Sequence, residues 1–269
     1  MDQGAITATA NGFVQARKDN SPLPEYPGER PHSLADAYAV QDAALTIWDK
    51  TSGGRAIGGW KVGRINPPDD TVLGAERLAG PIFADTILEA GASPPLMPVF
   101  TGGFAAVEAE FMLRLDIPQD AGSPPDTDDA LFGWISDIRI GIEIASSPYS
   151  RINAEGPLVT ISDHGNNFGM LLGPQVPRQQ WHSLHTIDVS LDIDGVQVGQ
   201  ARAAAMGDGP LGAVRFLLGN MAERGIAPKT GWWISTGAVT GVHQISVGQT
   251  ARAHFAGVGA VDCIISTAA

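Results

Sequence analysis

The sequence predicts a mixed α+β fold, and two observations carry this prediction. From Asp85 onward, short apolar runs alternate with Gly and Pro, which is typical of a strand-rich core. One long helical pattern after Ser33, with Leu34, Tyr38 and Leu45 at helical spacing, stands isolated among these strands. An isolated helix does not fit a repeating strand–helix–strand order. We therefore expect a mixed β-sheet or roll rather than a parallel α/β sheet.

The N-terminal part, residues 1–85, is predicted to form a smaller helical or α+β region beside a β core over 86–269. A short helix precedes an extended Pro-rich stretch that ends near residue 33. Ser33 is a good N-cap for the long helix, which Gly53 and Gly54 would stop. A strand is expected over 57–62.

Further elements follow from turn residues and periodicity. Alternating residues on both sides of Asp194-Gly195 predict a hairpin over 186–199. A helix with Leu211 and Met221 on its apolar face should end at Gly225. Residues 119–129 read as a polar loop, and 232–265 should supply the final strands.

Composition narrows the function classes. The chain has 269 residues, 43% of them hydrophobic, and a formal charge of −12. This acidity argues against nonspecific nucleic-acid binding. No long apolar run suits a membrane span, and the first residues lack a secretory pattern, so we expect a cytoplasmic protein without membrane partners. The single cysteine, Cys263, lies among apolar residues and is expected to be a buried structural thiol.

Acidic side chains on two predicted strands are the main functional signal. Residues 107–115 alternate apolar and polar side chains and place Glu108 and Glu110 on the same face. Residues two apart on a strand lie roughly 6.5 Å apart along it, so both carboxylates can bind one ion. The segment 138–145 has Glu143 as the only acid on its polar face.

Carboxylates without a Cys or His cluster predict Mg²⁺ or Mn²⁺ as the cofactor rather than zinc. Three such ligands leave roughly three octahedral positions for water or substrate. The alternative is that the glutamates form the solvated faces of amphipathic strands, because Glu is mostly exposed in proteins. The residues alone leave both interpretations open.

Two weaker patterns are discounted. Residues 207–212 match the glycine spacing of a dinucleotide-binding turn, but the preceding segment is a poor strand and Pro210 removes an amide donor. His182 and His185 are three residues apart without other ligands nearby in sequence, so we interpret them as part of a polar loop or helix end rather than a zinc site.

On the basis of these residues and further short motifs, the chain resembles the fumarylacetoacetate hydrolase superfamily. Within this superfamily it resembles the branch of 2-keto-4-pentenoate hydratases and 4-oxalocrotonate decarboxylases. The resemblance covers nearly the whole chain, and the order and spacing of its motifs are more specific than any single motif. The matching segments are 36–41, 61–63, 73–74, 80–85, 107–110, 142–144, Asp163, 171–173, 235–237 and 241–242.

The resemblance implies roles for individual positions. It places the metal ligands on Glu108, Glu110 and Glu143, and a glutamate at the third position resembles the hydratase and decarboxylase branch. It implies catalytic roles for Lys61 and Asp163, with His164 beside them. Substrate contacts are expected from three residues. These are Lys61, Asn167 and Thr236.

Several positions depart from the family pattern. His164 stands where the segment beginning at Asp163 normally has Asn, and Asn167 is one of two residues that replace a Ser pair. Ala238 replaces a hydroxyl residue, and Ile65 stands where the hydratases usually have Thr. We interpret His164 either as a structural hydrogen-bonding residue or as an acid/base group, because its ordinary pKa would suit proton transfer.

The expected activity is metal-dependent hydration of a 2-hydroxy-2,4-dienoate to a 4-hydroxy-2-oxo acid in aromatic-compound catabolism. Alternatives on the same site are decarboxylation of a 2-oxo-3-enedioate and C–C hydrolysis of an acylpyruvate. A non-catalytic homologue is a further alternative. The resemblance also implies a homo-oligomer.

Overall fold

The structure is a computed structural model that describes residues 1–51 and 54–268, so Gly53, one of the two predicted helix stops, lies outside the described residues. Its longer helices come early and late in the chain, and short ones lie between strands. The α-helices are α1 (Gln3–Lys18), α2 (Leu34–Asp49), α3 (Asp69–Leu73), α4 (Asp128–Phe132), α5 (Pro157–Ser162) and α6 (Gly209–Glu223).

Short 3₁₀ turns connect some elements, and the other regular elements are strands. The 3₁₀ turns are Ala84–Thr86, His164–Asn166, Arg178–Thr186 and Ala203–Met206. The strands are β1 (Ile57–Arg64), β2 (Arg77–Phe83), β3 (Ile87–Glu89), β4 (Leu96–Val99), β5 (Phe104–Leu115), β6 (Ile135–Ser147), β7 (Asn167–Gln175), β8 (Asp188–Ile193), β9 (Val196–Arg202), β10 (Trp233–Ser235), β11 (His243–Gln244), β12 (Thr250–Phe255) and β13 (Gly259–Thr267).

These strands form two mixed sheets, which confirms the predicted α+β class. The larger sheet has the order β2-β1-β10-β5-β6-β7-β3, with β11 also pairing with β5. The second has the order β4-β13-β12-β8-β9. Parallel pairs such as β1 with β10 occur beside antiparallel pairs such as β5 with β6. The boundary near residue 85 stays a prediction; β1 and β2, which precede it, pair within the same sheet as β5 and β6.

The hairpin of β5 and β6 lies at the centre of the larger sheet and is buried on both faces. Its apolar face contributes Phe111, Ile140 and Ile142 to the largest hydrophobic core, which also contains Phe255 and other residues of the second sheet. The opposite face carries the glutamates, and it is covered by neighbouring elements rather than by solvent. The interpretation of these glutamates as solvated side chains is therefore wrong.

The expectation of a single long helix is also wrong, because α1 and α2 each have 16 residues and α6 has 15. Helix α1 contains a central glycine, Gly12, and two Thr residues, which lower its intrinsic helix propensity. Packing against α2 stabilises it instead, through a cluster that includes Ile6, Val14 and Val40. Gly12 is required by close approach, since a Cβ there would lie 2.5 Å from Pro27 Cβ.

Several local predictions are confirmed. The Ser33 side chain accepts a hydrogen bond from the Asp36 backbone N–H and begins α2. Asp194 and Gly195 turn the β8–β9 hairpin with φ values of 49° and 76°, the left-handed geometry that a tight hairpin requires. None of the described helices is both long enough and apolar enough to cross a bilayer. The Cys263 thiol is buried, and burial raises its pKa to about 12.

Candidate metal centre

Three carboxylates converge at the centre of the larger sheet, as the strand pattern predicts. Glu108 and Glu110 share a face of β5, and Glu143 lies directly opposite Glu108 on β6. One carboxylate oxygen from each residue lies within 4.8 Å of the other two. Glu108 is 5% exposed, and the other two are fully buried. Within residues 1–51 and 54–268 this is the only such group of three or more acidic, His or Cys ligands.

The Lys61 ammonium faces this cluster from the neighbouring strand β1. Its Nζ lies 3.3 Å from Glu143 Oε1, and the side chain is only 6% exposed. Burial lowers the pKa of Lys61, but the carboxylates of Glu143, Glu108 and Glu110 outweigh burial and raise it above the ordinary value. Lys61 is therefore charged at neutral pH in the metal-free protein, and one ammonium is shared among three carboxyl groups.

Glu110 has two fixed partners and one orphaned oxygen. Its Oε2 accepts hydrogen bonds from the Ser235 hydroxyl and, at 2.9 Å, from the Gly237 N–H. Its Oε1 is buried and has no hydrogen-bond partner among the described residues. Burial raises the pKa of Glu110 well above its usual range, and the neighbouring charges of Glu143 and Glu108 raise it further.

Glu143 is also oriented by neighbouring side chains. The Asn167 side-chain amide donates to Glu143 Oε1 at 2.9 Å, and the Ser235 hydroxyl lies 3.4 Å from Oε2. Partners of this kind hold a ligating carboxylate in one orientation. Asn167, which the sequence assigns to the substrate, thus contacts a predicted metal ligand in this structure.

The donor set fits a hard divalent cation. All three predicted ligands offer oxygen, and no Cys or His belongs to the cluster, which is the chemistry of Mg²⁺ or Mn²⁺. Buried like charges are costly unless a counter-charge compensates them, and Lys61 compensates only one. The orphaned Glu110 Oε1 supplies an oxygen that a cation would satisfy. The three glutamates can therefore hold the predicted metal.

Asp163 precedes the turn that leads to Asn167 and is held by residues outside the cluster. Arg17 of α1 donates to both carboxylate oxygens, and Ser147 Oγ donates to Oδ2 at 2.6 Å. Asp163 is completely buried; burial alone would raise its pKa, but Arg17 and a hydrogen bond from His164 hold it far below the usual range. Asp163 is thus an ionised and very weak base in the metal-free protein.

His164 is buried beside Asp163, and its Nδ1 lies 3.1 Å from Asp163 Oδ1. Burial, followed by the positive charge of Arg17, lowers its pKa to about 4, although Asp163 opposes this change. Its Nε2 has no partner among the described residues. The imidazole is therefore neutral at pH 7, packed 5.6 Å from the Phe83 ring.

Thr236 and Ala238 follow β10 and line one side of a cleft of about 290 Å³. The Thr236 hydroxyl is fully buried and donates to the Phe111 carbonyl at 2.9 Å. Its role in substrate binding stays a prediction. Ile65, which departs from the family pattern, is buried and contributes an apolar surface to the same cleft.

The two discounted patterns line one shared cavity of about 360 Å³. The glycine-rich turn at 207–212 follows the 3₁₀ turn Ala203–Met206, and the nearest preceding strand, β9, is an antiparallel edge strand. His182 is 70% exposed on its side chain and faces Asp129 at 3.6 Å.

Sequence reasoning missed Arg17 and Ser235 as parts of the site. Ser235 belongs to a motif segment that was recognised, and its position beside Thr236 was the available signal. Arg17 gave no signal, because a single Arg at the end of a helix is ordinary and its partner lies 146 residues away.

Several solved structures of known proteins share the fold of this chain. No protein-family model matches the sequence. The chain is similar to 4-oxalocrotonate decarboxylase from Pseudomonas putida G7, solved with calcium and acetate and with magnesium and adipate, at 21% identity, a TM-score of 0.78 and 98% coverage of both chains. Fumarylpyruvate hydrolase from Pseudomonas aeruginosa, solved with Mn²⁺ and pyruvate, matches at 17% identity and a TM-score of 0.56, over 78% of this chain and 89% of that one.

A third similar structure is 2-hydroxyhepta-2,4-diene-1,7-dioate isomerase from Mycobacterium marinum, at 15% identity and a TM-score of 0.58, covering 80% of this chain and 76% of that one. These neighbours are enzymes of the fumarylacetoacetate hydrolase superfamily, and this chain has their fold. The fold that the resemblance implies is confirmed.

Proposed function

We propose that this protein is a divalent-metal-dependent enzyme that stabilises the enolate of a 2-oxo acid. The observation that carries the proposal is the convergence of Glu108, Glu110 and Glu143 on one point, with the Lys61 ammonium beside them. Solved structures with the same fold contain Mg²⁺ with adipate and Mn²⁺ with pyruvate, which supports a small acid as the ligand. Mg²⁺ or Mn²⁺ is the proposed cofactor.

The three glutamates would hold the ion and leave positions for a chelating substrate. Such an ion, when bound, acts as a Lewis acid toward a carboxylate and an adjacent keto oxygen. The buried position of the glutamates excludes most bulk water, which strengthens electrostatic stabilisation of the enolate. Lys61 is placed to donate a hydrogen bond to the substrate or to hold the proton that the enolate takes up.

Among the reactions of such a site, we favour decarboxylation of a 2-oxo-3-enedioate. The bond from C5 to the distal carboxylate breaks, CO₂ leaves, and the electron pair moves through the conjugated double bond to the keto oxygen. Protonation of that oxygen then gives the 2-hydroxydienoate. This reaction needs an electron sink and a proton donor but no activated water. It is compatible with an Asp163 whose two oxygens are held by Arg17, Ser147 and His164.

Hydration of a 2-hydroxydienoate is the second candidate. It requires protonation of the dienol at C5 and then addition of water at C4, for which a base must take a proton from water. The observation that favours it is the partnerless Nε2 of the neutral His164. Because the pKa of His164 is lowered to about 4, it is a weak base, and hydration is therefore placed second.

A substrate panel tests the proposal. The purified protein, with Mg²⁺ or Mn²⁺, is mixed with a 2-oxo-3-enedioate, a 2-hydroxy-2,4-dienoate and an acylpyruvate, and ultraviolet absorbance is followed. Release of CO₂ identifies decarboxylation, a 4-hydroxy-2-oxo acid identifies hydration, and pyruvate identifies C–C hydrolysis. Glu110→Gln should abolish turnover, whereas Glu25→Gln, an exposed control, should not.

Two results would contradict the proposal. Turnover that persists in a chelating buffer would exclude a metal-dependent mechanism. A wild-type protein that binds Mn²⁺ and oxalate but converts none of the substrates would favour a non-catalytic homologue. We also propose that the protein forms a homo-oligomer. Sedimentation of the purified protein tests this separate proposal.

A further inference from the structure

Arg17, near the end of α1, donates several hydrogen bonds to residues that are far away in sequence. Its guanidinium donates to both carboxylate oxygens of Asp163, to the Asn167 carbonyl at 3.1 Å and to the Ser146 carbonyl at 3.3 Å. The side chain is only 4% exposed. A planar fork of five donors suits this set, whereas a lysine ammonium would satisfy only part of it.

The loop held by Arg17 has a strained backbone. His164, Gly165 and Asn166 all have positive φ, at 56°, 65° and 64°. For the non-glycine residues His164 and Asn166 this left-handed region is uncommon, and it is maintained where surrounding contacts impose it. The contacts of Arg17 at both ends of the turn, on Asp163 and on Asn167, are contacts of this kind.

The same loop reaches the predicted metal ligands and the predicted proton donor. Asn167, which follows the turn, donates to Glu143 Oε1, the oxygen that also lies 3.3 Å from Lys61 Nζ. Gly165 packs against the Lys61 side chain, since a Cβ at that position would lie 3.1 Å from Lys61 Cδ. The position of this loop therefore fixes two neighbours of the three glutamates, Asn167 and Lys61.

We propose that Arg17 is a positioning residue for the metal centre: it holds the turn 163–167 so that Asn167 orients Glu143 and Gly165 packs on Lys61. The inference rests on the proposed function in that it takes the three glutamates as metal ligands. The hydrogen bonds of Arg17 go to Asp163, Asn167 and Ser146 and not to the three glutamates. Arg17 acts through Asp163 and the backbone of Asn167, and it makes α1 part of the site.

A comparison of two buried arginines tests this role. Arg17→Met removes the guanidinium and keeps apolar volume. Arg224→Met is the matched control, because Arg224 is 8% exposed on its side chain and donates to Asp42 and Gln41 rather than to residues 163–167. Mn²⁺ affinity is measured by calorimetry at a temperature at which circular dichroism shows each variant folded. Hydrogen exchange of the amides of 163–167 is measured in parallel.

Arg17→Met should weaken Mn²⁺ binding about 10-fold to 100-fold, the usual effect of losing a partner of a metal ligand, and should speed exchange in 163–167. Arg17→Lys should recover part of the affinity. Arg224→Met should lower the melting temperature but leave the affinity within about twofold of wild type, since none of its hydrogen bonds goes to residues 163–167.

The role is refuted if Arg17→Met binds Mn²⁺ as wild type does, even with a lower melting temperature, or if both variants lose affinity equally. Failure of the proposed function is distinguishable. A wild-type protein that binds Mn²⁺ but converts no 2-oxo acid refutes that function, while the affinity comparison still decides the role of Arg17. A wild-type protein that binds no Mn²⁺ refutes both.

Discussion

Glu108 and Glu143 lie directly opposite each other on the neighbouring strands β5 and β6. Like charges in this arrangement destabilise a sheet, and here burial adds to the cost because water cannot screen them. The strand pairing that aligns the two carboxylates also puts Glu110 on the same face. The metal-free fold therefore carries a repulsion that a bound cation would remove.

The first prediction concerns the pH dependence of metal-free stability. The pKa of Glu108 is raised from its ordinary value of 4.5 to about 7. Burial is the main cause; the Lys61 ammonium opposes it, and the Glu143 carboxylate adds to it. Since the folded pKa is the higher one, the protonated carboxyl stabilises the fold fully below pH 4.5, and this contribution is lost as the pH rises through 7. Glu108→Gln should therefore gain stability relative to wild type between pH 5 and pH 8.5, by about 3 kcal/mol at most.

Urea unfolding in the presence of a chelator at the two pH values measures this difference. Glu25→Gln, which replaces an exposed carboxylate, serves as the control and should show no such gain. An equal stability difference between Glu108→Gln and wild type at both pH values would show that Glu108 does not titrate as described.

The second prediction separates Lys61 from metal binding. Lys61→Met removes the only ammonium that faces the three carboxylates in the described structure, so Mn²⁺ affinity should stay the same or increase. Turnover of the 2-oxo acid should fall at least about 100-fold, because the proton donor is lost. Calorimetry and steady-state kinetics measure the two effects, with the exposed Lys50→Met as the control. Normal turnover in Lys61→Met would refute its catalytic role.

The third prediction concerns His164. Its pKa is about 4 in the folded protein, chiefly because of burial, against 6.5 in the unfolded chain. Since the folded pKa is the lower one, the neutral imidazole stabilises the fold fully above pH 6.5, and this contribution is lost as the pH falls toward 4. Wild type should therefore lose about 2 kcal/mol between pH 8 and pH 5 through this residue.

His164→Asn tests this effect, because Asn accepts the left-handed backbone of that position. The variant should lose less stability than wild type between the two pH values, and the exposed His254→Asn should behave as wild type does. If His164→Asn and wild type show the same pH dependence in urea unfolding, His164 is not the buried neutral group that the structure indicates.

The parts of the fold that the sequence predicted are those set by neighbouring residues. The alternation around Glu108, Glu110 and Glu143 is local, and so are the Ser33 cap and the Asp194-Gly195 turn. Strand β1 could be recognised, but nothing local indicates that it pairs with β10, more than a hundred residues away. The length of helix α1 was underestimated, because a glycine in mid-helix argues against a long helix. The close approach of Pro27 explains Gly12, but that contact cannot be recognised from the sequence.

The residues of the candidate site were also predicted only in part from the sequence. The three glutamates were named because an alternating strand pattern and a family resemblance both point to them, and Lys61 was named from the resemblance and its place at the end of an apolar strand. Arg17 pairs with a partner far away in sequence, Asp163, so no pattern in its own segment indicates a role. Ser235, which donates to Glu110, lies in a recognised motif segment, but its contact depends on a strand that is distant in sequence. The hydrogen bond from Asn167 to Glu143 likewise depends on the pairing of β7 with β6.

The central claim is that Glu108, Glu110 and Glu143 bind one divalent ion, and calorimetric titration of Mn²⁺ into chelator-treated protein tests it most directly. We predict one ion per chain for wild type and for Glu25→Gln, and at least a 100-fold weaker affinity for Glu110→Gln, which keeps the shape of the side chain but loses a charged ligand. Equal affinity of wild type and Glu110→Gln, or no binding by wild type, would contradict it.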